Sequence, residues 1–307
     1  MLGQDLIFLQ KDIRLFCRNP LLRKEVSPLR IDFHAHAFAD PIAERAVDHL
    51  IEYYSISTKH GGRLADLLRT QAEAGCDACV LLVAATKPQQ VLPANNWILG
   101  INSLTREELV AQTGVATPPR LIPFGTIHPD FPDWEAELVR LRAAGIRGLK
   151  LHPEFQGFAL DDPRLFPIFE FMGGEMILLT HVGDRTVTPD NLSTPARVLN
   201  IRRNFPRLPI VAAHMGGYRM WNEALELLGG KDIYLDISST MAFIDPALLR
   251  RFFSCHGVEH ILFGSDYPLF SPGEELTKLE RLLPDLSTYD RQRLLGDNAR
   301  ELLKLAE

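Results

Sequence analysis

The 307-residue sequence predicts an α/β fold, a closed (β/α)8 TIM barrel, on three observations. Short apolar runs alternate with helical stretches along nearly the whole chain, and each run is followed by enough residues for a helix. The runs are continuously apolar, as strands buried on both faces are, and parallel strands need crossovers of that length. Six of the ten histidines fall just after an apolar run, the strand end at which barrel active sites assemble. Unrelated surface histidines would not choose one end.

Leu29–Phe33 (LRIDF) reads as the first strand, followed by helical material to Ala74. Ala78–Ala85 is the second strand. Residues 86–119 make a long excursion before the third, Leu121–Thr126, and the leucines and valines in it predict a folded lid or insert. Trp134–Ala144 is an amphipathic helix stopped by Gly145, and Ile146–Leu151 is the fourth strand. The alternation then continues: helix Arg164–Met172, strand Met176–Thr180, helix Pro195–Asn204, strand Leu208–Ala213. Helix Trp221–Leu228, strand Ile233–Ile237, helix Pro246–Ser254 and strand His260–Gly264 complete it. Asp297 is the expected cap of the closing helix NARELLKLA. A doubly wound open sheet competes, but it would place a Gly-rich phosphate loop after the first strand, where HAHAF stands instead. The expected organisation is a helical extension over 1–28 packed on a single barrel domain over 29–307, with the insert at 86–119.

Charge and composition exclude several classes. A formal charge of −6 gives no basic stripe for nucleic acid. The N-terminal apolar run, Leu6 to Leu9, is cut by Gln10, Lys11 and Asp12, so neither a signal segment nor a membrane span is expected. Four cysteines make no disulfide framework, and the Cys76–Cys79 pair lacks the neighbours that tune a redox motif. A cytoplasmic enzyme acting on a small molecule follows, with a homodimer allowed.

The chemistry lies at the strand ends. His34 and His36 are two residues apart in an extended strand, so both imidazoles can aim at one ion, with Asp32 sharing their parity a step deeper. His181 after strand five adds a nitrogen and Asp266 (FGSDYP) an oxygen, which together suit catalytic zinc with a position left for water. The same donors accept manganese, iron or cobalt. His214 (VAAHMGG) reads as a further ligand or as an unliganded base beside the ion. Asp266 can also take the proton of an ion-activated water. Lys150 and His152 (GLKLHP) point the same way. Lys150 is open to three readings: a carbamylated bridge to a second ion, a clamp for a substrate carboxylate, or an ammonium paired with a strand-end acid. His152 is expected to line the site. Arg185 and Arg219 follow site histidines closely enough to reach an anionic substrate or simply to pin their loops. His128, before Pro129, reads as a loop-former.

Together, DFHAHAF, GIRGLKLHPEFQGF, LLTHVG, VAAHMGG, ILFGSDYPLF and GDNARELL resemble the amidohydrolase superfamily. The resemblance is strongest to its amidohydrolase-related branch, which holds the aminocarboxymuconate-semialdehyde decarboxylase-like proteins and predicted metal-dependent TIM-barrel hydrolases. It implies one divalent ion on His34, His36, His181 and Asp266, proton transfer by His214, and a second ion if Lys150 corresponds to the carbamylated lysine of two-metal members. The expected activity is hydrolysis of an amide, ester or lactone in a small, carboxylate-bearing substrate. Non-oxidative decarboxylation or hydration of an unsaturated or aromatic acid is the alternative. A vestigial, non-enzymatic site is the third class, and it would be expected to have lost ligands.

Overall fold

The computed structural model describes residues 28–306, so the expected N-terminal extension lies outside the described residues. The chain enters a parallel barrel at β1 (Ile31–His36) and β2 (Ala78–Leu82). The third barrel strand is in two pieces, β3 (Arg120–Pro123) and β4 (Gly125–Thr126). Then come β5 (Gly148–Leu151), β6 (Ile177–Thr180), β7 (Ile210–Ala212), β8 (Tyr234–Asp236) and β9 (Ile261–Leu262). Every neighbouring pair is parallel. The Phe33 amide closes the ring by donating to the Phe263 carbonyl at 2.8 Å. This is the (β/α)8 barrel the apolar runs predict.

Alternate strand positions build two separate packing regions. Phe33, Val80, Phe124, Leu179, Val211 and Leu262 fill the barrel interior. Their neighbours Cys79, Leu81, Leu178, Ile210 and Ala212 belong to the larger layer under the helices. The break between β3 and β4 falls at Phe124, which still donates its amide to Leu81 at 2.9 Å. Its ring covers Gly148, where a β-carbon would meet the ring at 2.4 Å. A large inward ring needs a residue without a side chain on the next strand.

One expectation is narrowed and two details differ. Residues 86–119 hold the helices Val91–Asn102 and Arg106–Thr113, the second with a Thr105–Glu108 capping box. The first of these is the β2–β3 crossover, its Asn95 donating to the Thr126 carbonyl and to Glu137, so of the two expected forms, folded lid or insert, it is the insert. Asp297 caps nothing: it lies in helical conformation, inside a π-turn (Arg293–Asp297) that continues into Asn298–Leu302. Asp32 does not share the direction of His34. The β1–β2 register shifts between Asp32 and Ala35, and the bulge turns Asp32 toward Gln71 on the helix Leu64–Glu73. Among the described residues no helix is long and apolar enough to cross a membrane.

Candidate active site

The β1 bulge sends His34 and His36 to the mouth of the barrel, while Asp32 locks the strand behind them. Its carboxylate accepts from the amides of His34 (3.1 Å) and Ser265 (2.9 Å) and from the Ser265 hydroxyl and Gln71. That fixes the loop after β9, whose Asp266 amide donates to the His34 carbonyl at 2.7 Å. Asp266, His214 and Ser239 all adopt left-handed backbone, with φ of 64°, 60° and 48°. Such conformations cost side-chain-bearing residues about 1–3 kcal/mol each and concentrate at functional sites.

The imidazole tautomers follow from their outer partners. His34 Nδ1 faces Asp236 Oδ2 at 2.9 Å, and His36 Nδ1 faces the Leu82 carbonyl at 3.2 Å. His214 Nδ1 faces the Ser238 carbonyl at 3.0 Å, and His181 Nε2 the Gly183 carbonyl at 2.9 Å. Carbonyls and carboxylates only accept, so each of these outer nitrogens must carry the proton. Burial pushes His36 and His181 well below the ordinary imidazole range and His214 down to about 4, so these three rings are neutral near pH 7. The inner nitrogen of each of these three rings is then an acceptor. The inner nitrogens face one another: His34 and His36 at 3.2 Å, His181 Nδ1 and His214 Nε2 at 2.9 Å. Facing ring nitrogens this close in a buried site are satisfied by a shared proton or by a cation.

The distances fit a cation. His34 Nε2 and His36 Nε2 lie 3.5 and 3.7 Å from Asp266 Oδ1. Ligands about 2.0–2.2 Å from a tetrahedral ion stand about 3.4 Å apart. His34, His214 and Asp236 form a second cluster of suitable spacing. Beside the first, the fully buried Lys150 ammonium donates to His34 Nε2 at 3.1 Å. Burial lowers its pKa to about 8, against the pull of Asp266 and Asp236. Burial alone would raise the Asp236 carboxyl, but the His34 and His214 rings and the Ser238 hydroxyl hold it well below its usual range.

Above this floor is a cavity of about 170 Å³ with apolar walls including Phe38, Leu50, Ile56, Phe155 and Leu269. His152 sits in it sandwiched between Phe155 and His181, with ring centroids at 4.0 and 3.9 Å.

The family profile described as amidohydrolase matches residues 31–305, nearly the whole chain. The chain belongs to the amidohydrolase family. No curated protein matches it in sequence at a significant level. Among solved structures, this amidohydrolase is similar to 5-carboxyvanillate decarboxylase from Sphingomonas paucimobilis, at 17% identity and a TM-score of 0.62, covering 91% of this chain and 100% of that one. A putative 2-pyrone-4,6-dicarboxylic acid hydrolase from Pseudomonas putida gives 20% identity and 0.61, covering 92% and 100%. A dihydroxybenzoic acid decarboxylase from Polaromonas sp. JS666, solved with manganese and the inhibitor 2-nitroresorcinol, gives 17% and 0.64, covering 91% and 98%.

The amidohydrolase cavity is lined by His34, His36, Lys150, His152, His181, His214 and Asp266. Arg185 and Arg219 are not brought there. Arg185 lies over the Tyr53 ring and donates to the Tyr53 carbonyl. Arg219 lies over Phe243 and Tyr218. His128 is held by the Gln156 carbonyl and the Asp130 amide, as a loop-former should be. Sequence reasoning passed over Asp236, although an acid closing the apolar run IYLDI was its visible signal. Ser239, which donates to Asp266 Oδ2 at 2.5 Å, and Tyr54 carried none.

Proposed function

We propose that this amidohydrolase is a metal-dependent, non-oxidative decarboxylase of a compact aromatic or unsaturated acid. The observation that carries the reading is a set of ion-ready imidazoles under a small apolar-walled cavity. An engineered apolar cavity of ~150 Å³ holds one benzene ring, so about 170 Å³ suits one ring and little more. Two of the three similar structures named above are decarboxylases of aromatic acids. The hydrolase first expected from the motifs is the second reading, favoured by the similar 2-pyrone-4,6-dicarboxylic acid hydrolase.

His34, His36, His181 and Asp266 would hold the divalent ion, manganese or zinc. When bound, the ion supplies a Lewis acid that polarises the substrate oxygen it touches. Lys150 places a buried positive charge beside that floor, where the substrate carboxylate has to sit. Phe155 and Leu269 exclude water from the ring. His214 is positioned on the cavity wall with its proton fixed outward on Nδ1, so Nε2 can relay a proton from water to the carbon that loses CO₂, the hydroxide left behind taking up the released CO₂ as bicarbonate. That carbon gains hydrogen as its bond to the carboxylate breaks, and the bonding electrons return to the ring.

The test is a panel of hydroxybenzoates, unsaturated acids and lactones on manganese-loaded and zinc-loaded full-length protein, following CO₂ and acid release separately. CO₂ from a ring acid is the expected result. Acid release from lactones with no CO₂ from any substrate would overturn the reading in favour of hydrolysis.

A further inference from the structure

We propose that Tyr54 determines substrate specificity by donating its hydroxyl proton to an oxygen substituent on the substrate ring. The inference rests on the aromatic-acid reading and adds the group that such a ring must carry.

Tyr54 is the last residue of the helix Asp40–Tyr54 and lines the cavity. Its ring is held from several sides: Tyr53 at 4.9 Å, Phe155 and Tyr218 at 5.9 Å, and His181 at 6.2 Å between centroids. The hydroxyl is therefore placed by packing. Its one polar partner among the described residues is His152 Nε2, at 3.0 Å.

The direction of that hydrogen bond decides the matter. His152 caps the short helix Pro153–Gln156, and its Nδ1 accepts from the Phe155 amide at 3.4 Å. With Nδ1 accepting, the proton is on Nε2 and goes to the tyrosine oxygen. Tyr54 accepts from His152 and keeps its own proton for something else. The cavity is the open direction, and Tyr54 lines it together with apolar Phe155, Leu50 and Ile56.

A ring entering this cavity displaces the water that would accept from Tyr54. A ring with a hydroxyl or similar oxygen at that place restores the hydrogen bond, whereas a ring with hydrogen or methyl leaves a buried donor unpaired. The site therefore selects an oxygenated ring by penalising its unoxygenated counterpart. The stack of His152 between Phe155 and His181 keeps the tyrosine's orienting partner rigid.

The experiment uses full-length, manganese-loaded protein and calorimetric binding of 2-, 3- and 4-hydroxybenzoate against 2-, 3- and 4-methylbenzoate, pairs of similar size. One positional isomer is expected to bind about tenfold more tightly as the hydroxy than as the methyl compound, as for a restored hydrogen bond to a buried donor. Tyr54→Phe should erase that preference, chiefly by tightening methylbenzoate binding, since no buried donor is then left unpaired. Equal weakening of both members of the pair would mean that Tyr54 only packs, and would overturn the proposal. The native protein offers a test free of any folding effect, because no preference at any ring position also overturns it. If none of the six acids binds, the aromatic-acid reading falls with it. Binding without discrimination removes only the role of Tyr54.

Discussion

Asp236 accepts the Nδ1 proton of His34 at 2.9 Å, and that contact settles which nitrogen of His34 faces the cavity. It also accepts from the His214 amide at 3.1 Å and from the Ser238 amide and hydroxyl, so one carboxylate orients two candidate site residues. Carboxylates behind metal-ligating histidines raise ligand basicity, and their loss typically weakens metal binding ~10–100-fold. Asp236→Asn should weaken manganese or zinc binding by that factor in chelator competition. An unchanged affinity would show that His34 is oriented by its surroundings without the charge. His214 and His181 are separable in the same way. His214→Asn should lower turnover ~100-fold or more, as loss of a proton-transfer group does, with the ion retained, whereas His181→Asn should lower metal occupancy. Equal metal loss in both would make His214 a ligand. The cavity residues were legible in the sequence because polar side chains directly after apolar runs have one place to go in a barrel. Arg185 and Arg219 were not, since a count of residues beyond a strand does not say which way the loop turns. Tyr54 was hidden because helix periodicity marks it only as one more ring on a buried face.

Elements show the same division between what a pattern carries and what packing decides. Each barrel strand coincides with an expected apolar run, because burial on both faces demands such a run. The β1 bulge and the Phe124 break are not periodic features. They follow from cross-strand fits, such as the Phe124 ring over Gly148, that one strand's sequence does not contain. The helix Pro272–Leu282 carries a further contribution of this kind. Glu275 on it is fully buried, pairs with Lys278 at 2.6 Å, and has its second oxygen without a hydrogen-bond partner among the described residues. Burial raises its pKa to about 7, only partly offset by Lys278. The folded state thus holds this proton more tightly than the unfolded chain does. Its contribution to stability is fully present below about pH 4.5 and is lost as pH rises through about 7. Glu275→Gln should therefore be more stable than the native protein at pH 8, by roughly 1–3 kcal/mol for a shift of this size, with the gap closing toward pH 5. Denaturant melts at the two pH values measure it. A gap that grows on acidification would mean that the Lys278 pair outweighs burial.

At the scale of the whole molecule, the candidate ion site lies on the seam where the barrel closes. His34 and His36 come from the first strand, Asp266 from the loop after the last, and His181 from across the mouth. The seam itself is held by three backbone contacts: Phe33 to Phe263 at 2.8 Å, His36 to Tyr267 at 2.7 Å and Asp266 to His34 at 2.7 Å. An ion bound by both sides would tie the first and last strands of the chain together, and it would also satisfy the facing imidazole nitrogens. The unfolded chain scatters those donors, so binding belongs mainly to the folded state and adds to its stability by mass action. At free metal ~100-fold above Kd the gain is about 2.7 kcal/mol, which for a chain of this length is a rise in Tm of a few degrees. Scanning calorimetry with manganese or zinc, and again after chelation, should show that rise and its reversal. Asp266→Asn removes the charged ligand on one side of the seam while keeping its shape, so the metal-dependent part of the shift should shrink or vanish. A full shift in that variant would move the ion off the seam, toward the His34, His214 and Asp236 cluster deeper in the mouth. No shift in the native protein would mean that the imidazoles are reconciled by protons, and the metal-dependent chemistry proposed for this cavity would have to be given up.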